Sequence, residues 1–571
     1  MTESSSAPRT LREILERSAA RYAYRPAVSD CGGEPLSFRD FHESVQGLSH
    51  WLHEQGIGFG DAVAIIAENS AHWGIAYFAI TSMGAVAVPI LTEFHGDAIA
   101  HIIRHSDAKA VFVSEKLFSK IEDAHFEPLP LLINMETFSP IDQGMTRDTL
   151  RALKSKGLRE FRKWKDMALR LALKTPKEPT EDDLAAIIYT SGTSGHSKGV
   201  MLSHKNIVSN VWAIRDFITL TENDRMLSIL PLPHTFACTL GLVLPVLYGV
   251  HVHYLDKPPT ARVLMPALAE VRPTVMLSVP LIMEKIFKTS VLPKLTGNRL
   301  SKWLYQIPVI RKKMHKIAGK KLLASFGGEL WLMAIGGAPL AVDAERFLRE
   351  AKFPFTIGYG LTEASPILTA TAPEFARPTS AGKPLTGIEI RLDNVNPSTK
   401  EGEILARGPN IMRGYHKLPE ATEEALSEDG WLRTGDLGAL DEDGYIYIKG
   451  RSKNVIIGPS GENIYPEEIE SFFFSSPYVV EALVYQLEGK LTARVHLDSA
   501  KVDEVLAGAS NKEADHKRVE LLEAIRQSVN GKVSSFSRIL RIIEQAEPFE
   551  KTPTHKIKRY LYVDAQGNGN Y

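Results

Sequence analysis

A segment of small, hydroxylated and basic residues is the part of the sequence best suited to chemistry. It directly follows an apolar run, 185–189, and reads Thr190-Ser191-Gly192-Thr193-Ser194-Gly195-His196-Ser197-Lys198-Gly199. Glycines let backbone N–H groups approach an anion, hydroxyls add donors, and a lysine neutralises phosphate charge. The segment therefore predicts a phosphate-binding loop, with a plain flexible loop as the alternative. It is not a Walker A loop, because Gly195 lies three residues before Lys198.

Four further segments carry polar groups between apolar runs. One of them offers an aromatic ring, a hydroxyl and the carboxylate of Glu363, a ligand type that Mg²⁺ prefers. It is not a dinucleotide fingerprint, because Glu363 stands where that motif needs its last glycine. The four segments are Ile335-Gly336-Gly337-Ala338-Pro339-Leu340, Gly358-Tyr359-Gly360-Leu361-Thr362-Glu363, Trp431-Leu432-Arg433-Thr434-Gly435-Asp436-Leu437-Gly438 and Lys551-Thr552-Pro553-Thr554-His555-Lys556-Ile557-Lys558-Arg559.

In this order and spacing, the five segments resemble the motifs of the adenylate-forming superfamily of acyl-CoA synthetases, luciferases and peptide-synthetase adenylation domains. The resemblance extends upstream through Gly60-Asp61 and 84–89, so it covers almost the whole chain. Two positions depart from the family pattern. Ser197 replaces the usual proline of the loop, and Asn454 stands where the family commonly has an acidic residue.

The resemblance implies a set of roles for individual residues. Lys556, Thr190, Lys198 and Glu363 would be catalytic, and Mg²⁺ would be bound by Glu363 and Thr193. By the Lys-x-x-Arg spacing, the catalytic lysine is Lys556 and not Lys558. The implied nucleotide-binding residues are Ser191, Gly192, Thr193, Ser194, Gly195, Gly337, Ala338, Pro339, Tyr359, Gly360, Thr362, Asp436 and Arg451. The implied acyl-substrate residues are His234, Phe236 and Gly336, and the implied hinge residue is Lys453.

The same resemblance implies an activity. ATP, Mg²⁺ and CoA would convert a carboxylic acid first to acyl-AMP, with release of pyrophosphate, and then to acyl-CoA. Segments 271–287, 299–321 and 463–470 are most similar to long-chain fatty acyl-CoA synthetases. Acyl carrier protein as acceptor, or another carboxylic acid as substrate, are the alternatives. A non-catalytic binding protein is disfavoured, because the lysine and both carboxylates that the chemistry needs are retained.

The elements that position these residues alternate along the chain. Short apolar runs at 62–67, 110–113 and 185–189 alternate with helical patterns such as 41–55, which predicts an α/β fold of layered sheets with parallel strands. After Gly387, shorter alternating runs predict a β-rich subdomain. We expect an N-terminal domain over 1–450 and a small mobile C-terminal α+β domain over 451–571.

Composition excludes several classes of protein. The chain has 571 residues, 44% hydrophobic residues and a net charge of -1, so it is neither wholly disordered nor a strongly basic nucleic-acid protein. Two cysteines give no disulfide framework, and with no apolar signal segment they favour a cytoplasmic protein. The uncharged run 226–255 contains prolines and histidines and predicts buried strands and a helix rather than a membrane span. Within it, 251–253 favours a strand over a metal site.

Two stretches are strongly basic. Residues 151–177 hold ten Lys/Arg and two acids, and 299–321 hold eight Lys/Arg and no acid. Both fit either a solvated helix face or peripheral contact with an anionic membrane on its inner face. They would also suit docking of an acidic carrier protein. No base-reading fold accompanies them, which disfavours nucleic acid.

Overall fold

The computed structural model describes residues 7–122, 124, 126–141, 177–190, 197–457, 463–508, 510–552 and 556–563. The basic stretch 151–177 lies outside the described residues, except for Lys177. The chain enters its first helix, Leu11–Tyr22, at Thr10, whose side chain accepts a hydrogen bond from the Glu13 backbone N–H. This N-cap satisfies one of the free donors of the first turn.

Two seven-stranded sheets form the body of the molecule. All neighbouring strands of the first sheet are parallel except the last pair, and its spatial order is Phe355–Ile357, Leu332–Ile335, Val275–Ser278, Arg225–Ser228, His251–Tyr254, Pro26–Asp30 and Leu36–Ser37. The second sheet begins with two antiparallel pairs and is otherwise parallel, in the order Gly414–Tyr415, Lys198–Ser203, Leu184–Thr190, Val86–Pro89, Ala62–Ile66, Ala110–Val113 and Leu131–Asn134. This topology confirms the predicted layered α/β fold.

Helices cover the faces of these sheets. Helix Ala71–Ser82 has almost no polar surface and contacts strands of both sheets, so its apolar side chains form the centre of the largest core. The other helices of this part are Phe38–Glu54, Gly96–His105, His204–Ala213, Thr235–Cys238, Leu244–Tyr248, Ala261–Val271, Pro280–Ile286, Leu292–Thr296, Arg299–Tyr305, Pro308–Ser325, Val342–Ala351 and Pro419–Ala425. A second core packs on the opposite face of the second sheet.

Smaller sheets follow along the chain. The antiparallel sheet of Glu389–Asp393, Gly402–Arg407, Leu432–Leu440 and Ile446–Arg451 confirms the predicted β-rich part, beside a small sheet of Tyr359–Gly360, Ile367–Ala370 and Lys383–Pro384. The C-terminal part has its own core and consists of strands Ile456–Ile457, Asn463–Ile464, Val479–Leu487, Lys490–Leu497 and Arg541–Glu544 with helices Pro466–Phe473, Ser499–Leu506 and Asn511–Asn530. The boundary after residue 450 and the hinge stay predictions.

The uncharged run folds as predicted into strands Arg225–Ser228 and His251–Tyr254 with a helical segment between them. Ser29 Oγ lies 3.0 Å from His251 Nε2 and 3.2 Å from His253 Nδ1, so the two imidazoles belong to a strand-to-strand polar contact. Across the described residues, no cluster of three or more metal-ligating side chains occurs. In that same part of the chain, no helix is long and apolar enough to span a bilayer.

These two histidines make stability sensitive to acid. Burial, together with the other positive groups nearby, lowers the pKa of His251 to about 3 and that of His253 to about 4. Because an unfolded histidine titrates near pH 6.5, the unfolded chain binds more protons below that pH, and stability falls by up to about 1.4 kcal/mol per histidine per pH unit. We expect the melting temperature to drop between pH 6.5 and 5, and to drop less in the H251Q/H253Q variant.

The exposed His516 provides the control for this measurement, because its side chain is 76% exposed. The H516Q variant should lose as much melting temperature on acidification as the unmodified chain. If the melting temperature of the H251Q/H253Q variant fell as much as that of the unmodified chain, these two histidines would not be the source of the acid sensitivity.

Candidate active site

The predicted phosphate-binding loop connects two antiparallel strands. Strand Leu184–Thr190 pairs with Lys198–Ser203, and Thr190 stands directly opposite Lys198. Ser191, Gly192, Thr193, Ser194 and Gly195 lie outside the described residues, so the structure describes the loop only by its two ends. The Lys198 ammonium lies 4.7 Å from the centroid of the Tyr415 ring, a cation–π distance that directs it toward the neighbouring strand.

The same tyrosine holds the predicted magnesium ligand. Tyr415 Oη donates a hydrogen bond to Glu363 Oε1 at 2.8 Å, and the Met412 backbone N–H donates to the Glu363 carbonyl at 2.9 Å. Burial and the Glu363 carboxylate raise the pKa of Tyr415, so its hydroxyl stays protonated and keeps donating. Lys198, Tyr415 and Glu363 therefore form one continuous contact, although they come from separate parts of the chain.

The carboxylate of Glu363 fits a magnesium ion that is also bound by phosphates. Mg²⁺ is commonly held by one or two carboxylates together with substrate phosphates and water, rather than by a cage of protein ligands. Glu363 supplies such a carboxylate, and no hydrogen bond of the described residues occupies its Oε2.

The predicted ribose-binding carboxylate is buried and bonded to two neighbouring side chains. Asp436 is 5% exposed and lies on strand Leu432–Leu440, directly opposite Arg451 on the next strand. Arg451 Nε lies 2.8 Å from Asp436 Oδ1, and Tyr359 Oη donates to Asp436 Oδ2 at 2.7 Å. Each carboxylate oxygen can accept a second donor, so both remain available to a ligand hydroxyl. The three residues form a rigid unit at the predicted nucleotide site.

The electrostatics of this unit follow from its burial. Burial raises the pKa of Asp436, whereas Arg451 and the Tyr359 hydroxyl oppose that rise by stabilising the carboxylate. The pKa of Tyr359 is well above its usual value, because burial and the neighbouring carboxylate both disfavour a phenolate. Tyr359 therefore donates and Asp436 accepts, which fixes the ring beside the carboxylate.

The strand Tyr359–Gly360 passes very close to its neighbours, which explains why position 360 is a glycine. A Cβ at Gly360 would lie 1.9 Å from the Pro366 carbonyl oxygen, so no other residue fits without backbone movement. Thr362 and Glu363 form the short helical turn that follows. The glycine thus lets the chain pass close to Pro366 between Tyr359 and the turn that carries Glu363.

The predicted acyl-substrate residues also come together. Strand Leu332–Ile335 leads into Gly336, and a Cβ at that glycine would lie 3.3 Å from Phe236 Cζ. The next residues, Gly337, Ala338 and Pro339, are exposed, and Gly337 has a φ of +91°, which favours glycine. These residues follow the carboxyl end of a parallel strand, the usual place for ligands in such sheets.

His234 stands at the start of the helical segment that carries Phe236. Its Nδ1 accepts a hydrogen bond from the Phe236 backbone N–H at 3.2 Å. Burial lowers the pKa of His234 to about 4, and the positive charge of Lys556 adds to that effect. At neutral pH, His234 is therefore an uncharged cap whose ring faces the same region as Lys556.

The predicted catalytic lysine lies near both carboxylates of the site. Lys556 is accessible to solvent, but protein surrounds its ammonium enough for burial to lower its pKa. Arg451 lowers that pKa further, whereas the carboxylates of Asp436 and Glu363 oppose the change. The structure thus brings Lys556 to the residues of the nucleotide site.

The C-terminal segment is anchored by its arginine. Arg559 Nη1 lies 2.7 Å from Glu470 Oε1, and Nη2 donates to the Val484 carbonyl at 2.7 Å. Thr552 Oγ1 accepts a hydrogen bond from the Lys556 backbone N–H at 3.2 Å. Lys453 is exposed on the short turn Ser452–Asn454, which is the predicted hinge.

Two participants were not predicted from the sequence. Tyr415 bonds to Glu363 across 52 positions of the chain, a separation that no local spacing reveals. Glu467 accepts from Asn454 and favours the charged form of Lys556, and it lies in a segment singled out only for its likeness to fatty acyl-CoA synthetases. The structure brings the described site residues together, and their individual roles stay predictions.

Comparisons with known proteins agree with this arrangement. A family model described as AMP-binding enzyme matches residues 15–416. A putative acyl-CoA synthetase of Bacillus subtilis, YngI, is 29% identical over 96% of each chain. Long-chain-fatty-acid–CoA ligase 1 of Homo sapiens is 28% identical over 92% of this chain and 80% of that protein.

Solved structures share the fold. MatB of Rhodopseudomonas palustris with bound ATP superposes with a TM-score of 0.73 at 23% identity, over 96% of this chain and 97% of that one. The anthranilate–CoA ligase AuaEII in complex with anthranoyl-AMP gives a TM-score of 0.74 at 22% identity, over 98% of each chain. Since the family model spans well over half of the sequence, the chain belongs to the AMP-binding enzyme family of adenylate-forming ligases, which use ATP with Mg²⁺ and CoA as acceptor.

Proposed function

We propose that the protein activates a fatty acid, of the long-chain class, to acyl-AMP and then transfers the acyl group to CoA. The observation that carries this proposal is that the Lys556 ammonium interacts with the carboxylates of Glu363 and Asp436, while Gly336 lies against Phe236 at the predicted acyl site. The long-chain fatty acid–CoA ligases among the relatives, at 28% identity over most of the chain, support the substrate class.

In the first half-reaction, a carboxylate oxygen of the fatty acid attacks the α-phosphorus of ATP. The new P–O bond forms as the bond to the β-phosphate oxygen breaks, which gives acyl-AMP and pyrophosphate. Negative charge spreads over the phosphoryl oxygens, so the protein must mainly position and neutralise them. Lys556 and Lys198 supply positive charge, and the hydroxyl of Thr190 with the backbone of the loop supplies donors.

The nucleotide itself is held by the rigid unit around Asp436. Its carboxylate accepts both ribose hydroxyls, Arg451 keeps that carboxylate charged, and the ring of Tyr359 lies beside the adenine. The remaining nucleotide contacts come from Gly337, Ala338, Pro339, Gly360, Thr362 and the loop residues. Glu363 and Thr193 would hold Mg²⁺, which would supply further positive charge to the phosphates.

In the second half-reaction, the thiolate of CoA attacks the acyl carbonyl carbon, and AMP leaves with the electrons of the broken C–O bond. Pyrophosphate has left by this step, so its negative charge no longer needs to be neutralised. Lys556 therefore has no role in the second half-reaction. We propose that domain 451–571 turns about Lys453 relative to domain 1–450 and removes the lysine. The exposed position of Lys453 on a short turn supports such a hinge.

The contact between Gly336 and Phe236 supplies a test of the acyl site. A larger side chain at Gly336 must displace the Phe236 ring, because even a Cβ would approach it to 3.3 Å. We expect Gly336→Val to lower kcat/KM for long fatty acids by about tenfold or more, since a misplaced reacting group loses rate steeply. The KM for ATP should stay unchanged. Gly531→Val, where a Cβ meets only ordinary contacts, is the matched control.

The proposed substrate and acceptor are tested together by competition. An equimolar mixture of acids from acetate to long fatty acids, with aryl acids included, is incubated with enzyme, ATP, Mg²⁺ and either CoA or acyl carrier protein. Mass spectrometry of the thioesters then shows which acid is activated and which acceptor receives it. Long-chain acyl-CoA as the main product supports the proposal. Acyl carrier protein thioesters, or thioesters of a different acid class, would overturn its acceptor or its substrate.

A further inference from the structure

Two consecutive helices carry a surface that the adenylation chemistry does not use. Between Glu284 and Glu329 the chain contains eleven Lys/Arg and no acidic residue. Most of these cations lie on helices Arg299–Tyr305 and Pro308–Ser325, which only Gln306 and Ile307 separate. We call their exposed residues the basic helical face: Leu300, Lys302, Trp303, Val309, Lys312, Lys313, Lys316, Ile317, Lys320 and Lys321.

The orientation of the longer helix is fixed by its opposite side. His315 is fully buried, and its ring packs against Phe347 with a centroid distance of 5.1 Å. Gly319 faces Ala351 so closely that a Cβ would lie 2.6 Å from the alanine Cβ. Both partners belong to helix Val342–Ala351. Because residues four apart share a helix face, the exposed lysines at 312, 316 and 320 form one stripe along the helix.

The cations of this face have no acidic partners among the described residues. In helix Pro308–Ser325, Arg311 is paired with Glu350 at 2.9 Å on the buried side. The lysines of the basic helical face make no ion pair with any described side chain. An ordinary solvated surface mixes charges of both signs, so this face is unusual in its single sign.

Large apolar side chains lie exposed among these lysines. Four of them are more than 60% exposed: Leu300 at 66%, Trp303 at 63%, Val309 at 66% and Ile317 at 61%. Solvated charged faces do not need such residues. Lysines with interspersed tryptophan and aliphatic side chains are the composition of helices that lie in the interface of an anionic bilayer.

We propose that the basic helical face docks the protein on an anionic lipid bilayer. Its lysines bind the headgroups, while Trp303, Leu300, Val309 and Ile317 enter the boundary between headgroups and acyl chains. A folded acidic protein would need a groove to cover four projecting apolar side chains, whereas a bilayer accepts them without one. The charge and the apolar residues together therefore favour lipid over an acidic protein.

The position of the face gives the docking a purpose, and this step rests on the proposed function. Helix Pro280–Ile286 precedes the face along the chain, and Glu284 Oε1 accepts from the Ala341 backbone N–H at 2.7 Å. Val279 lies against Gly337, where a Cβ would meet its side chain at 4.0 Å. The chain segment that leads into the face therefore borders the residues next to the predicted acyl residue Gly336, and docking would bring that site to a source of fatty acid.

The docking is tested with the full chain and without ATP or fatty acid, so the result does not depend on activity. Co-sedimentation compares vesicles of phosphatidylcholine alone with vesicles that also contain phosphatidylglycerol. Each lysine near an anionic surface contributes about fivefold in partitioning, so the K312Q/K316Q/K320Q variant should bind about a hundredfold more weakly. The matched control is K490Q/K512Q/K517Q, which removes three exposed lysines from the C-terminal part.

A second readout separates insertion from charge attraction. The tryptophan fluorescence of the chain, less that of Trp303→Phe, should shift to the blue on binding to anionic vesicles. We expect salt-sensitive binding, loss in the triple variant and no loss in its control. Equal binding of both variants, or no binding to anionic vesicles at low salt, would overturn the proposal. Binding of an acidic carrier protein through the three lysines, with no vesicle binding, would likewise overturn it.

Discussion

Replacing Lys556 with alanine should lower the rate of ATP–pyrophosphate exchange by about a hundred- to thousandfold, because loss of one preorganised charge at a developing anion has effects of that size. The rate at which supplied acyl-AMP and CoA give acyl-CoA should change much less. The reason is the placement of the lysine: the carboxylates of Asp436 and Glu363 interact with it, and these are the residues that we propose to hold the ribose and Mg²⁺.

Lys558 is the matched control for this variant. It is two residues further on and is paired with Glu550 at 3.3 Å, on the C-terminal segment itself. Lys558→Ala should keep exchange near its original rate. If Lys556→Ala slowed both half-reactions equally, the lysine would act on binding or folding and not on the first step alone.

Replacing Asp436 with alanine should raise the KM for ATP by at least about a hundredfold. Two hydrogen bonds from the ribose to a charged acceptor are lost, and bonds to charged groups are worth about 1.5–3 kcal/mol each. The change also leaves Arg451 without its partner at 2.8 Å and Tyr359 without its acceptor at 2.7 Å. Initial rates against ATP concentration at saturating fatty acid measure the effect, and circular dichroism checks the fold.

Asp393 provides the comparison for that measurement. It lies on the same four-stranded sheet and pairs with Arg433 at 3.2 Å in an exposed position. Asp393→Ala should leave the KM for ATP unchanged. An unchanged KM in Asp436→Ala would rule out the ribose role.

The strands that position the site could be predicted because their apolar runs are short and bounded by polar turns. The run at 185–189 became strand Leu184–Thr190, and the loop motif follows it directly. The shorter runs after Gly387 likewise became strands, such as Gly402–Arg407. The local sequence pattern was sufficient to place a motif wherever that motif directly follows one strand.

Contacts between distant segments could not be read in this way. Tyr359 bonds to Asp436 across 77 positions, and Tyr415 bonds to Glu363 across 52, so their pairing depends on how whole sheets pack. The placement of Lys556 depends in turn on how the C-terminal part lies against Glu363 and Asp436. The basic stretch 299–321 was recognised by its charge, but its orientation became clear only from the packing of His315 and Gly319.

The most direct test of the account is ATP–pyrophosphate exchange in the absence of any acceptor thiol, across acids from acetate to long fatty acids, amino acids and aryl acids. Exchange detects acyl-adenylate formation itself, independently of CoA or carrier protein. The account predicts rapid exchange with long fatty acids and little with the other acids. No exchange with any acid would contradict it, and would mean that the residues gathered around Lys556 bind a nucleotide without activating a carboxylate.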